Sequence, residues 1–162
     1  MRIADCSLQP VNPRSEIGNP VPLSAKTEYA CIAVLELSVQ YGSQQPVQIR
    51  RIAEAHGIPS PFLVQILLQL KGAGLVSSTR GASGGYQLIR DPAEITLGEV
   101  MAMVEGADDP PASNTGADTA ASRVLLGAWR RAHEAQRQML ADITFADLAE
   151  QIRGATENMY YI

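Results

Sequence analysis

Ser60, Pro61, Phe62 and Gln65 crowd the opening turn of what reads as a helix, and Arg80 follows fifteen residues after Gln65. Arg80 leads into Gly81-Ala-Ser83-Gly84-Gly85, a run almost free of bulk. A glutamine can read adenine by a bidentate pair of hydrogen bonds, and an aromatic edge can touch a thymine methyl. A helix N-terminus such as Ser60-Pro61 favours phosphate. An arginine can enter a narrow minor groove, where the negative potential is enhanced. Glycines let backbone approach a sugar-phosphate ribbon closely. Together these groups suit duplex DNA. One competing account is a plain three-helix core with a solvated hairpin, but a short structural hairpin favours a two-residue turn over five small residues beside an arginine. Another is a nucleotide phosphate loop, but no Gly-Lys-Ser/Thr follows and the run opens onto a strand. No Ser/His/Asp or Cys/His arrangement is legible, so no catalytic site is expected.

To position these residues the chain needs a helix, a turn, a longer helix and a hairpin. Ser24 starts a first helix in which Tyr29, Ile32, Ala33, Leu35, Leu37 and Val39 supply apolar surface, with Gly42 closing it. A second runs from Gln48 to His56, and Gly57 breaks it. Ser60 is a suitable N-cap and Pro61 a suitable first helical residue for the third, which buries Leu63, Ile66, Leu67 and Leu70 before Gly74. Leu75–Arg80 and Tyr86–Ile89 read as the strands of a wing, and 95–105 as a short helix capped by Thr96. A long apolar stripe over Arg123 to Leu140, including Trp129 and Met139, reads as a packing or dimer helix, and Thr144 caps a last helix over Phe145–Arg153. The expected fold is mainly α with a small β-hairpin wing: a winged helix-turn-helix plus a long dimerisation helix. The expected organisation is a flexible arm at 1–22, a winged-helix domain at 23–105, a mobile loop at 106–122, dimerisation helices at 123–153 and a tail at 154–162.

Composition narrows the class. Apolar residues make up 46% and charged residues 19%, as in an ordinary globular protein. No apolar run approaches the ~18 residues of a membrane span, and the first residues lack a secretory pattern, so a cytoplasmic location is expected. The net charge of −4 is unevenly distributed. Residues 24–90 carry six basic against three acidic side chains, whereas 91–162 carry five against twelve. That asymmetry assigns nucleic acid to the first part and another role to the second. Cys31 reads as a free, buried helix cysteine; Met101, Met103 and Met139 read as core; His56 and His133 have no partner visible in the sequence.

Ser24-Ala-Lys-Thr-Glu-Tyr29, Ile52-Ala-Glu54, Phe62-Leu-Val-Gln65, Gly74-Leu-Val76, Arg80-Gly-Ala-Ser-Gly-Gly-Tyr86, Ile95-Thr-Leu-Gly-Glu-Val100 and Thr144-Phe-Ala-Asp-Leu148 closely resemble the Rrf2 family of bacterial winged-helix regulators, over roughly residues 23–162. The resemblance implies a homodimer on imperfect palindromes near promoters, with DNA contacts at Lys26, Ser60, Phe62, Gln65, Arg80 and the wing glycines. Many relatives hold an iron–sulphur cluster on three cysteines ahead of the long helix. The stretch Gly106–Ser122 has none, so no cofactor and no metal are expected. Val64 stands where the family usually has Glu, which would shift operator preference, and Glu28 replaces a frequent basic residue. The ending Met159-Tyr160-Tyr161-Ile162 is similar to that of cluster-free members that repress cysteine metabolism genes. In those members the similarity extends to the tail of serine acetyltransferase, whose terminal carboxylate enters cysteine synthase, so cysteine synthase is the implied partner. The same tail could instead fold back on its own domain. Two further readings stay open: a metal- or ligand-responsive regulator using Asp108, Asp109 and Asp118, and an adaptor that keeps the fold without binding DNA.

Overall fold

Six α-helices, one short 3-10 turn and a two-stranded sheet make up the computed structural model, which describes residues 23–159 apart from 44 and 107, and only the backbone of 157–159. The expectations for residues 1–22, for Tyr160, Tyr161 and Ile162, and for the Met159 side chain lie outside the described residues. Helix α1 (Ala25–Val39) is capped by Ser24, whose hydroxyl accepts from the Thr27 amide at 3.0 Å. It buries Thr27, Ala30, Val34 and Leu37 at helical spacing. Helix α2 (Ile49–His56) ends at Gly57, whose φ of 63° is the left-handed conformation a helix stop requires.

Helix α3 (Ser60–Gly72) starts one residue earlier than expected, with Pro59 as cap and Ser60 as its first helical residue. It buries Leu63, Ile66, Leu67 and Leu70, as their spacing foretells. It ends in a paired-bond stop: Gly74 N–H donates to Lys71 and Leu75 N–H to Leu70, both at 3.0 Å, with Gly74 at φ 76°. That stop sends the chain straight into strand β1 (Val76–Thr79), which pairs antiparallel with β2 (Gly85–Leu88), Val76 opposite Leu88 and Thr79 opposite Gly85. Strand β1 is one residue shorter at each end than the residue pattern suggests, and β2 is shifted one residue towards the N-terminus. A bridge between Val47 and Tyr86, not foreseen in the sequence, adds a one-residue third strand.

After the 3-10 turn Pro92–Glu94, helix α4 (Leu97–Glu105) is capped by Thr96, which accepts from the Glu99 amide at 3.2 Å. Helix α5 (Ala120–Asp142) begins three residues before the expected start, because Thr119 and Ser122 close a capping box there. Helix α6 (Phe145–Met159) runs six residues beyond the expected Arg153. Its start is pinned by Phe145 N–H donating to Ile95 and Leu97 N–H to Ile143, both at 2.9 Å, with the Phe145 ring fully buried. The core is one cluster in which Leu37, Ile52, Leu63, Leu67, Leu70 and Phe145 draw α1, α2, α3 and α6 together. Each such side chain contributes roughly 1.5–3 kcal/mol by leaving water. Met103 packs against this core and Met101 is half-buried, but Met139 is 67% exposed, contrary to the expectation for it. It sits on a helix whose apolar stripe meets no core of its own chain.

Candidate nucleic-acid interface

The buried face of α3 faces the core, so its opposite face is turned outward. Ser60, Pro61 and Gln65 are exposed, Phe62 is 63% exposed and Leu68 53%. Pro61, Gln65 and Leu68 fall at i, i+4 and i+7 and so share one outward stripe. Val64 is half-buried beside it. Arg80 is exposed at the base of the wing and forms no ion pair among the described residues.

The wing loop is built on backbone contacts that exclude side chains. A Cβ on Gly84 would lie 2.3 Å from the Thr79 carbonyl oxygen, and one on Gly85 2.4 Å from that of Val47. Gly81 adopts a φ of 108°, which also favours glycine. Ser83 is exposed at the tip. Between α3 and the wing runs an open groove of about 540 Å³, lined by Gln48, Leu68, Lys71, Ser78 and Arg80 among others. Lys71 crosses it, its ammonium donating to the Ser78 hydroxyl at 2.6 Å. The Gln48 amide donates to the Ala82 carbonyl at 3.2 Å. Beyond Gln48, Arg51 and Ser83 line a neighbouring hollow.

Of the residues singled out in the sequence, Arg80, Gly81 and Gly84 line this groove opposite Leu68 and Lys71 of α3, while Ser60, Pro61, Phe62 and Gln65 are exposed on α3 and Ser83 is exposed on the wing, outside the groove lining. Lys26 stands apart from the groove lining, its ammonium donating to the Val104 carbonyl at the end of α4. Gln48, Lys71 and Ser78 were missed in the sequence reading. The only signal for Lys71 was a cation in the last turn of α3, and nothing local marks a glutamine before α2 as a wing contact.

Elsewhere the charged groups bind the fold to itself. The Glu105 carboxylate accepts from Ser24 and Thr27, and these hydroxyls, the Ser24 one foremost, hold it below the usual carboxylate range. His56 has a partner after all: its Nε2 lies 2.9 Å from the Glu36 carboxylate. His133 Nε2 is 2.9 Å from the Asp108 carboxylate, a close approach not aligned as a hydrogen bond. Both partners come from another element, so the sequence conceals them. Cys31 is half-buried, and burial pushes its thiol up to about 11.

A family model described as "Rrf2: Iron-dependent Transcriptional regulator" matches residues 23–151. An HTH-type transcriptional regulator of Synechocystis sp. is 38% identical over 129 residues, covering 78% of this chain and 86% of that protein. The HTH-type transcriptional regulator CymR of Bacillus subtilis is 33% identical over 141 residues, covering 86% and 99%. The solved structure of CymR, titled the global cysteine regulator of B. subtilis, superposes with a TM-score of 0.71 at 32% identity, covering 81% of this chain and 98% of that one. T. potens IscR gives 0.69 at 30% identity, covering 88% and 98%. The residues of this chain do not fit an iron–sulphur cluster. Its two cysteines are Cys6, outside the described residues, and Cys31 inside α1. The segment between α4 and α5 offers only aspartates, and among the described residues no group of three ligating side chains could hold a metal ion.

Proposed function

The chain belongs to the Rrf2 family of DNA-binding transcriptional regulators, and on that premise we propose that it represses promoters as a homodimer, with α3 in the major groove and the wing in the adjacent minor groove. The observation that carries this reading is the groove between α3 and the wing. A duplex that receives a helix in its major groove and a hairpin in its minor groove must run one phosphate strand between them. The groove supports such a path, and Lys71 and Arg80, which line it, are the proposed phosphate partners. Gln65 and Phe62 then face base edges, and the Ser60-Pro61 start of α3 faces phosphate.

The apolar stripe of α5 supports the dimer. Val124 is 75% exposed, and Leu125 and Trp129 are 60% exposed. The helix buries no residue of its own and is roughly 34 Å long at 1.5 Å per residue. Exposed apolar surface of this extent marks an interaction site. Two copies paired along α5 would place two α3 helices on half-sites related by a twofold axis, hence on palindromic operators. Control is assigned to cysteine synthase acting on Met159, Tyr160, Tyr161 and Ile162, supported by the similarity of that ending and by kinship to CymR, the global cysteine regulator.

The test is fluorescence anisotropy with promoter fragments from the chain's own genome, with and without cysteine synthase. Tight binding that falls steeply with salt, weakened by Arg80→Ala, is the expected result. No binding to any fragment, with or without Arg80, would leave an adaptor role instead. Removal of Ile162 should abolish any response to the synthase without altering binding to DNA.

A further inference from the structure

The geometry points to Gln48 as a positioning residue for DNA recognition: its amide holds the wing tip at the angle from which Arg80 reaches the minor groove. This rests on the wing reading above. Gln48 occupies the N-cap of α2, where a side chain ordinarily accepts from an amide of the first helical turn. It makes no such bond, and reaches across to the Ala82 carbonyl at the tip of the wing at 3.2 Å.

The neighbouring backbone prepares that reach. Val47 and Tyr86 exchange two hydrogen bonds, each 2.9 Å, so the segment before α2 is the third strand of the wing. Gly85 packs so close to Val47 that a Cβ there would lie 2.4 Å from its carbonyl oxygen. These contacts fix the start of β2, at the foot of the wing loop. The loop beyond it, Arg80 to Gly84, is held by Gly84 N–H donating to Gly81 at 3.0 Å and by the Gln48 amide. The second polar tie to the reading helices, Lys71 to Ser78, acts lower down, on β1.

The two ties differ in what DNA does to them. A phosphate competes for the Lys71 ammonium, because charge-assisted bonds to an anion are the stronger kind. The Gln48 amide is neutral, and phosphate offers it less, so it remains on the Ala82 carbonyl when DNA is bound. Arg80 then depends on Gln48 for its aim, although Gln48 carries no charge and reads no base.

The experiment is a double-mutant cycle in the full-length protein, with anisotropy on a promoter fragment that the unmodified protein binds. Gln48→Met keeps the length of the side chain and removes the donor. The expected loss of affinity is roughly threefold, the scale of one hydrogen bond exposed to water. Arg80→Ala should cost more, and the double variant should bind no worse than Arg80→Ala alone. The salt slope should be unchanged by Gln48→Met, since no cation is lost. In the free protein, amide exchange should accelerate at residues 81–85 and not in α1. Additive losses, or no loss from Gln48→Met while Arg80→Ala weakens binding, would overturn the assignment. If Arg80→Ala itself has no effect, the wing reading fails and the assignment falls with it. Faster exchange throughout the core would reveal general destabilisation and also count against it.

Discussion

Gln69, on the outer side of α3, donates its side-chain amide to the carbonyl oxygen of Met103 at 2.6 Å. The same amide reaches Val104 at 3.4 Å, where Lys26 of α1 also donates. The last carbonyls of any helix have no partner within it. Here α3 and α1 supply those partners, so the end of α4 is fastened to the helix that presents Phe62 and Gln65.

Gln69→Ala should therefore loosen α4 against α3. A loss of about 1 kcal/mol is expected for one such bond, which lowers the melting temperature by roughly 2–4 °C for a domain of this size. Thermal unfolding followed by circular dichroism measures it, and an unchanged midpoint would show that water replaces the amide at no cost.

Acid should attack the same region. The carboxyl of Glu105 is held below its ordinary 4.5 by the Ser24 and Thr27 hydroxyls. Since the folded-state value is depressed, its stabilising contribution is present above pH 4.5 and is lost as pH falls through the lower folded value. Glu105→Gln should remove that part of the acid sensitivity, so unfolding profiles of the two proteins should converge once the pH falls below the lowered folded value.

Cys31 should be chemically quiet. With its thiol pushed up to about 11 from 9.0, it stays protonated at neutral pH, and only the thiolate is nucleophilic. Iodoacetamide labelling at pH 7.5 should be slow in the native protein and rise to the rate of a free thiol on unfolding. The raised folded value also means that stability declines as pH climbs from about 9 towards 11, because the unfolded chain ionises first. Cys31→Ser should remove that decline.

Trp129→Asp should separate the proposed dimer. The side chain is 60% exposed in the single chain, so the substitution costs the monomer little, whereas a charge inside a paired α5 stripe is uncompensated. Sedimentation velocity should show a monomer, and binding to a full palindrome should fall towards that of a half-site. A dimer that persists would move the interface away from α5.

Gly85→Ala should damage the wing, because the new methyl group would meet the Val47 carbonyl at 2.4 Å. Loss of operator affinity is expected to exceed that of Gln48→Met. Chemical shifts near Tyr86 and Val47 should move while those of α6 do not.

Much of the fold is legible in the residue pattern, and the legible elements share a cause. Ser24, Thr96 and Thr144 mark helix starts through hydroxyls that bond a few residues along the chain, and Gly57 and Gly74 mark helix stops through a left-handed backbone. Leu63, Ile66, Leu67 and Leu70 follow the period of a helix whatever surrounds it. One misplaced boundary, the end of the last helix, arises where a distant partner intervenes. Helix α6 outlasts Arg153 while packed on α1, and Arg153 bonds the Val39 carbonyl at 3.2 Å.

The candidate site divides along the same line. Gln65, Arg80 and the wing glycines announce themselves by type and local spacing, since a reading helix and a glycine loop are short-range features. What the sequence determined by itself was the instrument: the order of helices, the composition of the wing, and the lack of cysteine between α4 and α5. Only the tertiary structure decided how it is held. The Val47–Tyr86 bridge, the Gln48 and Lys71 ties and the Gln69 clamp join residues 7 to 39 positions apart. Such bonds need two segments brought within about 3 Å by a core built from all of them, and no local pattern of residue types encodes that approach.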